Sequence, residues 1–333
     1  MRNARITGLG RYLPPRVVTN QELTAYMDTS DDWIQQRTGI QERHYSEDRV
    51  GAADMGAIAA REALRRAGVR AADVDCIIFA TLSPDVEMPA SACLLQAYLG
   101  IGGVPAFDVR NQCSGFLYAL ATANAFIRVG RFQRVLVVGG EVHSTGIDIT
   151  TRGRDVAVIF GDGAAAVVVE PTDDPQRGIL TTHLHAEGQY AEKLWLECAA
   201  SRERPRLTEA MVSGATPRVF PRMEGRYVFK HAVQRFTEVI NEALAAAGHT
   251  IQDLDLLIPH QANLRISQMV ALGFELPEEK VVNNIQRYGN TTAASIGLAL
   301  YESVETGRLH DGDLLCLAAF GAGFTWAAVL IRW

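Results

Sequence analysis

Of the five cysteines, at positions 76, 93, 113, 198 and 316, Cys113 stands where a thiol could act. The segment AFDVRNQCSGFLYALATANAFIRVG reads as a strand over 106–109, a short link, and a long helix from about Ser114. A thiol at that junction faces the positive end of the helix dipole, which is expected to lower its pKa and raise the thiolate fraction. Gly115 would let backbone or substrate approach closely. The arrangement is that of a nucleophile elbow, with a reactive atom presented at the C-terminal end of a strand. On local context alone, a buried structural cysteine is an equal reading. Cys76 in CIIF and Cys316 in LLCLAAF read that way, inside apolar strands, and Cys93 and Cys198 are left as structural or incidental.

Two further positions carry candidate chemistry. His260 ends the apolar run LDLLIPH and is followed by Gln261, Ala262 and Asn263, so it leaves a buried strand where α/β sites form. Asn290 lies in RYGNTTAAS at a helix start, where a plain N-cap explains it equally well. The FGAG turn at 320–323 offers backbone N–H groups suited to an oxyanion hole, and equally suits a tight hairpin. The remaining histidines, His143 among them, are assigned surface or capping roles. His183 and His185 alternate as strand neighbours, but no third ligand has suitable spacing, so no metal site is expected.

The elements that must position these residues come in two copies. EALRRAGVRAADVDCIIFA at 62–80 and EALAAAGHTIQDLDLLIPH at 242–260 align without a gap at an offset of 180. Each reads as an amphipathic helix, a glycine at its C-terminal end, an Asp-containing link and an apolar strand. The ends of the halves echo each other as well, as FGDGAAAVVVE at 160–170 and FGAGFTWAAVL at 320–330. Runs such as VLVVGG (135–140) and AVVVE (166–170) suit sheets covered on both faces. The expected fold is α/β, two related halves packed together, with the boundary in the Pro/Asp-rich stretch 171–175. We assign 1–172 to the half with the cysteine and 173–333 to the half with the His and Asn.

Bulk properties narrow the function. A chain of 333 residues with 48% hydrophobic residues can build a large core. A formal net charge of −6 lacks the basic footprint of a nucleic-acid binder. An odd number of cysteines without CxxC spacing points away from disulfides and zinc and towards a reducing cytoplasm. MRNARITGLGRYLPP has no apolar core of a signal peptide. The uncharged run 314–331 is long enough for a membrane helix, but Gly321-Ala322-Gly323 breaks it, and it reads as two buried strands joined by a turn, without membrane insertion.

Taken together, the motifs resemble those of the 3-oxoacyl-[acyl-carrier-protein] synthase III group of thiolase-like condensing enzymes. The resemblance spans essentially the whole chain: TGLGRYLPPRVVTNQEL, DTSDDWIQQRTGIQERH, CSGF, FGDGAAA, HLHAEG, PHQANLRI, YGNTTAAS and FGAGFTW, in the family's order. It implies a thiolase-like fold with two pseudo-symmetric halves in α-β-α-β-α layers, and a homodimer. It implies an acyltransferase in which Cys113 is acylated by an acyl-CoA primer. His260 and Asn290 would then assist decarboxylation of malonyl-acyl carrier protein, whose carbanion attacks the Cys113 thioester. No cofactor beyond the CoA thioester and the carrier protein is implied. Backbone N–H groups of Cys113 and Ala322 would hold the oxyanion; Gly is common at the latter position, and Ala fits if its φ is negative. Trp33, Arg37 and Arg152 match the adenine-stacking set of the CoA site, and Asn263 a pantetheine contact.

The chain also departs from the family. Met88 stands where a large aromatic from the partner subunit often closes the acyl pocket, which implies acceptance of acyl chains longer than acetyl. Arg226 stands where a small amide is usual. ISQMVALGF lacks the paired lysines that some relatives use for carrier docking, leaving Arg265 and Lys230. An alternative is non-decarboxylative condensation or acyl transfer in secondary metabolism. Relatives doing head-to-head condensation use a partner-subunit Glu near this loop, but here Met88 holds the matching position and Glu87 is its neighbour. A catalytically dead binding protein is disfavoured because Cys113, His260 and Asn290 are all present.

Overall fold

The computed structural model describes residues 2–333. In the first half the main elements are β1 (Asn3–Tyr12), α1 (Asp31–Thr38), α2 (Ala52–Ala67), β2 (Cys76–Ala80), α3 (Ser91–Tyr98), β3 (Ala106–Val109), α4 (Gly115–Arg128), β4 (Val135–Glu141) and β5 (Gly163–Thr172). In the second they are β6 (Gly178–Ala186), α5 (Gly225–Ala246), β7 (Leu256–Pro259), α6 (Leu264–Gly273), α7 (Ser295–Glu305), β8 (Leu314–Gly321) and β9 (Thr325–Arg332).

The first sheet runs β1-β5-β4-β2-β3 and the second β6-β9-β8-β7. In both, the first three neighbours are antiparallel and the next pair is parallel. Where β3 completes the first sheet, the second has only a parallel bridge from Leu257 to Val281. The two sheets thus share one topology, and residues 173–177 link them.

Strand alternation builds the layers. Cys76, Ile78 and Ala80 of β2 and Leu315 and Leu317 of β8 point into one core with Phe116, Leu120, Ile296 and Leu300, so α4 and α7 lie between the sheets. The intervening residues Ile77 and Phe79 pack outward on α2 and α3. Cys316 and Ala318 pack outward on α5 and α6. The order is α-β-α-β-α. Cys76 and Cys316 are fully buried in these strands, as their sequence context implies.

The repeat at offset 180 is visible atom by atom. Gly68 and Gly248 end the two helices in left-handed backbone, with φ of 67° and 73°. Short 3-10 turns follow at Ala71–Asp73 and Ile251–Asp253. The Asp75 carboxylate then accepts from Arg134 N at 2.9 Å, and that of Asp255 from Leu314 N at 2.7 Å. Each aspartate therefore ties the start of its strand to the neighbouring parallel strand.

The echo between FGDG and FGAG is shifted from true equivalence. Gly140 pairs with Ala164, whereas Phe320 pairs with Trp326, so the strands after these motifs correspond at an offset of 162 rather than 160. The second half crosses from β8 to β9 through a tight turn; the first spends residues 142–162 on the same crossing. The run 314–331 is therefore two strands, and among the described residues no helix is long and apolar enough to cross a membrane.

Candidate active site

Cys113 sits in a 3-10 turn, Gln112–Ser114, that leads directly into α4. The turn is held by the Ser114 hydroxyl, which donates to Asn111 O at 3.0 Å and lies 2.8 Å from Thr325 Oγ1. Gly321, at the end of β8, is pressed against the thiol: a Cβ there would lie 2.6 Å from Cys113 Cβ and 3.0 Å from Sγ. This is a close approach that glycine alone permits.

Burial pushes the Cys113 thiol up to about 12, and the Glu141 carboxylate adds to the rise. The backbone N–H groups of Cys113 and Ala322 pull the other way. The expected lowering of this pKa is therefore corrected: desolvation outweighs the favourable end of the helix. The two N–H groups are the pair anticipated for an oxyanion hole. Ala322 fits, because among the described residues the non-glycine positions with positive φ are Arg49, Gln112, Glu275 and Thr292.

His260 follows β7 and is fixed by its backbone N–H to Ala318 O at 2.8 Å. Its ring is 3% exposed. Nδ1 lies 2.6 Å from Ser295 Oγ, and the buried Nε2 has no partner among the described residues. Burial, with a contribution from His143, depresses its pKa to about 3, so the imidazole is neutral across the physiological range.

Asn290 is also buried, and its backbone brackets Phe160, with Asn290 N donating to Ile159 O at 2.8 Å and Gly161 N donating to Asn290 O at 3.1 Å. Its Oδ1 accepts from Thr292 N at 2.8 Å. The capping expected from sequence is thus local, directed at the 3-10 turn Thr292–Ala294, while α7 itself begins at Ser295. That turn packs against the turn carrying Cys113. The segment 290–295 therefore joins Asn290, the Cys113 turn and, through Ser295, the His260 ring.

Three side chains of this cluster escaped the sequence reading. Ser295 holds His260. His143, expected at the surface or at a cap, is buried, stacks on Phe160 with ring centroids 4.5 Å apart, and lies 2.6 Å from Thr292 Oγ1 through Nε2. Burial drives its pKa down to about 4. Glu141 is fully buried, accepts from Ser83 Oγ at 2.6 Å and from Leu82 N at 3.1 Å, and is raised by burial to about 7. Its signal in the sequence was a carboxylate ending the apolar run VLVVGGE.

The expected CoA residues gather unevenly. Trp33, on α1, lies beneath two guanidinium groups: Arg37 at 4.4 Å from the ring centroid and Arg154 at 5.0 Å. Arg152, assigned to this stack from sequence, is turned elsewhere. Its Nε donates to Asp148 at 2.5 Å, Nη2 donates to Gly214 O at 3.1 Å, and its Cζ lies over Phe220. Asn263 caps α6 by accepting from Arg265 N at 3.0 Å and donates to Arg37 O at 2.9 Å, which joins α6 to the Trp33 helix. Arg265 and Lys230 are exposed, and Arg265 lies over Phe229, beside Lys230. Arg226 is exposed on the first turn of α5. Met88 is 83% exposed, and its neighbour Glu87 pairs with Arg206 at 2.7 Å. His183 and His185 both bond Glu242, and among the described residues no group of three or more His, Cys, Asp or Glu is arranged for a metal.

Comparison with known proteins agrees with this architecture. Two family models match, "3-Oxoacyl-[acyl-carrier-protein (ACP)] synthase III" over residues 107–188 and its C-terminal counterpart over 244–333. A beta-ketoacyl-[acyl-carrier-protein] synthase III of Xanthomonas campestris pv. campestris is 46% identical over 330 residues, covering 99% of this chain and 98% of that protein. The crystal structure of 3-oxoacyl-[acyl-carrier-protein] synthase III from Aquifex aeolicus superposes with a TM-score of 0.91 at 43% identity, over 99% of this chain and 100% of that one. The priming beta-ketosynthase of the R1128 polyketide pathway is also similar, with a TM-score of 0.88 at 34% identity, covering 99% and 96% of the two chains. With both halves matched and nearly every residue covered, this chain belongs to the 3-oxoacyl-[acyl-carrier-protein] synthase III family of condensing enzymes.

Proposed function

We propose that the protein condenses an acyl-CoA primer with malonyl-acyl carrier protein, releasing CO2 and forming a 3-oxoacyl-carrier product that starts a fatty-acid or related chain. The observation that carries this reading is the packing of the Cys113 turn against the segment that holds Asn290 and, through Ser295, a neutral His260.

Cys113 sulfur attacks the primer thioester; the carbon–sulfur bond to CoA breaks, and CoA leaves as a thiol with the proton given up by Cys113. A thiol held near 12 delivers little thiolate, so the N–H groups of Cys113 and Ala322 matter twice. They stabilise the sulfur anion and then the tetrahedral oxyanion. After malonyl-carrier enters, His260 Nε2–H and the Asn290 amide donate to its thioester oxygen. The electrons of the departing carboxylate collect there as an enolate. A neutral imidazole suits this role because it donates without handing a proton to the carbanion. The carbanion attacks the acyl-Cys113 carbonyl, the carbon–sulfur bond to Cys113 breaks, and the departing thiolate takes a proton from solvent to regenerate the thiol.

Trp33, Arg37 and Arg154 form the surface for the CoA adenine and its phosphates. Carrier docking falls to the exposed Arg265 and Lys230. Met88 and Val86, 83% and 44% exposed on one loop, suit burial in a homodimer, where Met88 would line the partner's acyl pocket. Five free cysteines suit work in the cytoplasm. The test is release of labelled CO2 from malonyl-carrier protein, dependent on acylated Cys113, across a ladder of acyl-CoA primers. Acylation without CO2 release would reject the decarboxylative reading.

A further inference from the structure

His260 can donate towards a substrate oxygen only if its single ring proton sits on Nε2. A neutral imidazole has two tautomers, and the hydrogen bond made by one nitrogen selects the state of the other. Nδ1 lies 2.6 Å from Ser295 Oγ, and both residues are buried, at 3% and 2% exposure. Among the described residues the Ser295 hydroxyl has His260 as its sole side-chain partner and makes no bond back to the preceding turn, unlike Ser303, which donates to Ala299 O. This decides the direction of the bond. If Nδ1 carried the proton, it would donate to Oγ and leave the buried serine O–H with no acceptor. If Nε2 carries it, the serine O–H donates to Nδ1 and both hydrogens have a use.

We propose that Ser295 is a positioning residue whose hydroxyl donates to His260 Nδ1 and so holds the ring proton on Nε2, facing the site. This rests on the condensation proposed above, yet the tautomer can be read without any substrate. Ser295 occupies the first position of α7, so its side chain is placed by the same helix start that places the Asn290 segment. Its counterpart in the first half, 180 residues earlier, is Gly115, which can make no such bond.

The experiment is 15N NMR of the full-length protein with labelled histidine, comparing wild type, Ser295→Ala and Ser295→Thr. Signals of His260 are assigned by their loss in His260→Ala. The wild type and Ser295→Thr are expected to show a protonated Nε2 and an unprotonated Nδ1 at neutral pH, and Ser295→Ala a shift towards the Nδ1–H form. Condensation in Ser295→Ala is expected to fall about 10- to 100-fold in kcat, with Cys113 acylation within about 2-fold of wild type. A wild-type ring protonated on Nδ1, or a tautomer and kcat unmoved in Ser295→Ala, overturns the proposal. If the wild type holds the Nε2–H tautomer through Ser295 but releases no CO2, the positioning role stands and the condensation reading falls.

Discussion

Gln112 and Thr292 are the same position of a duplicated fold, 180 residues apart, and both hold a backbone that L-residues seldom adopt, with φ of 45° and 47°. Each opens a 3-10 turn that runs into a helix between the sheets, and the two turns pack against each other. Left-handed backbone in a glutamine and a β-branched threonine is unfavourable and persists only where the surroundings impose it. The candidate site is therefore built where the two halves meet, and the halves have diverged there. Cys113 faces Ala293 in the alignment, Gly115 faces Ser295, Ala80 faces His260, and Glu141 faces Gly321. One half supplies the thiol; the other supplies the seat of the imidazole and the glycine that lets the thiol fit.

That glycine gives the first prediction. In Gly321→Ala the new methyl would lie 2.6 Å from Cys113 Cβ and 3.1 Å from Cys113 N, inside van der Waals contact with atoms that cannot swing away. The 3-10 turn must shift, and the sulfur with it. Acylation of Cys113, followed by intact mass, is expected to slow at least about 10-fold, with a loss of about 1–3 kcal/mol in unfolding free energy. Unchanged acylation would show that the fit at Gly321 does not matter.

A second prediction separates two neighbouring arginines. Arg154 lies over Trp33, whereas Arg152 is held by Asp148 and Gly214. If the Trp33 face receives the adenine, Arg154→Ala should raise KM for acyl-CoA more than Arg152→Ala, by about 5-fold or more, with kcat little changed in either. Steady-state kinetics of the two variants decides the matter; the reverse order would return Arg152 to the stack.

The sequence carried the architecture further than it carried the site. Helix, glycine, aspartate and strand recur at 62–80 and 242–260 because each copy solves the same backbone problem, and such solutions leave punctuation that can be read locally. Cys113, His260 and Asn290 were legible because each follows a strand or opens a helix within a distinctive motif. Ser295, His143 and Glu141 were not, since their roles depend on partners 35, 149 and 58 residues away, as in Ser295–His260, His143–Thr292 and Glu141–Ser83. The thiol pKa failed for a related reason. The helix end is visible in sequence, but the burial and the Glu141 carboxylate that outweigh it are products of packing. Arg152 and Arg154 lie two residues apart, and only the loop conformation decides which reaches Trp33.

Acid stability provides a third prediction. His143 and His260 are held neutral by burial, with pKa values of about 4 and about 3 against 6.5 in an exposed chain. As pH falls below 6.5 the unfolded chain takes up protons that the folded one refuses. These groups therefore contribute stability that is complete above that value and lost as pH falls towards 4. Glu141, raised to about 7, works in the opposite sense between 4.5 and 7, but is common to wild type and variant and cancels in their difference. His143→Gln, which can still bond Thr292, should flatten the decline by about 1.4 kcal/mol per pH unit between about pH 6 and 4. Urea unfolding at a series of pH values measures this, and parallel curves would mean that His143 is protonated in the native state.

The division of labour between Cys113 and His260 gives the last prediction, and it turns on where each side chain sits. The sulfur is approached by N–H groups of its own turn and of Ala322, while His260 is fixed by Ala318 and Ser295 and bonds neither of these groups. Acylation needs the first set, and enolate formation the second. Cys113→Ala should therefore gain no acyl mass from any acyl-CoA. His260→Ala should still be acylated, at a rate within about 3-fold of wild type, yet lose about 10³-fold or more in CO2 release, the scale on which a donor to a developing oxyanion acts. Intact-mass spectrometry after exposure to primer, followed by malonyl-carrier protein, reads both steps on one sample. If His260→Ala also failed to take up the primer, the imidazole would be serving as the base that deprotonates a thiol otherwise held near 12. The neutral, donor-only role assigned to it would then be wrong.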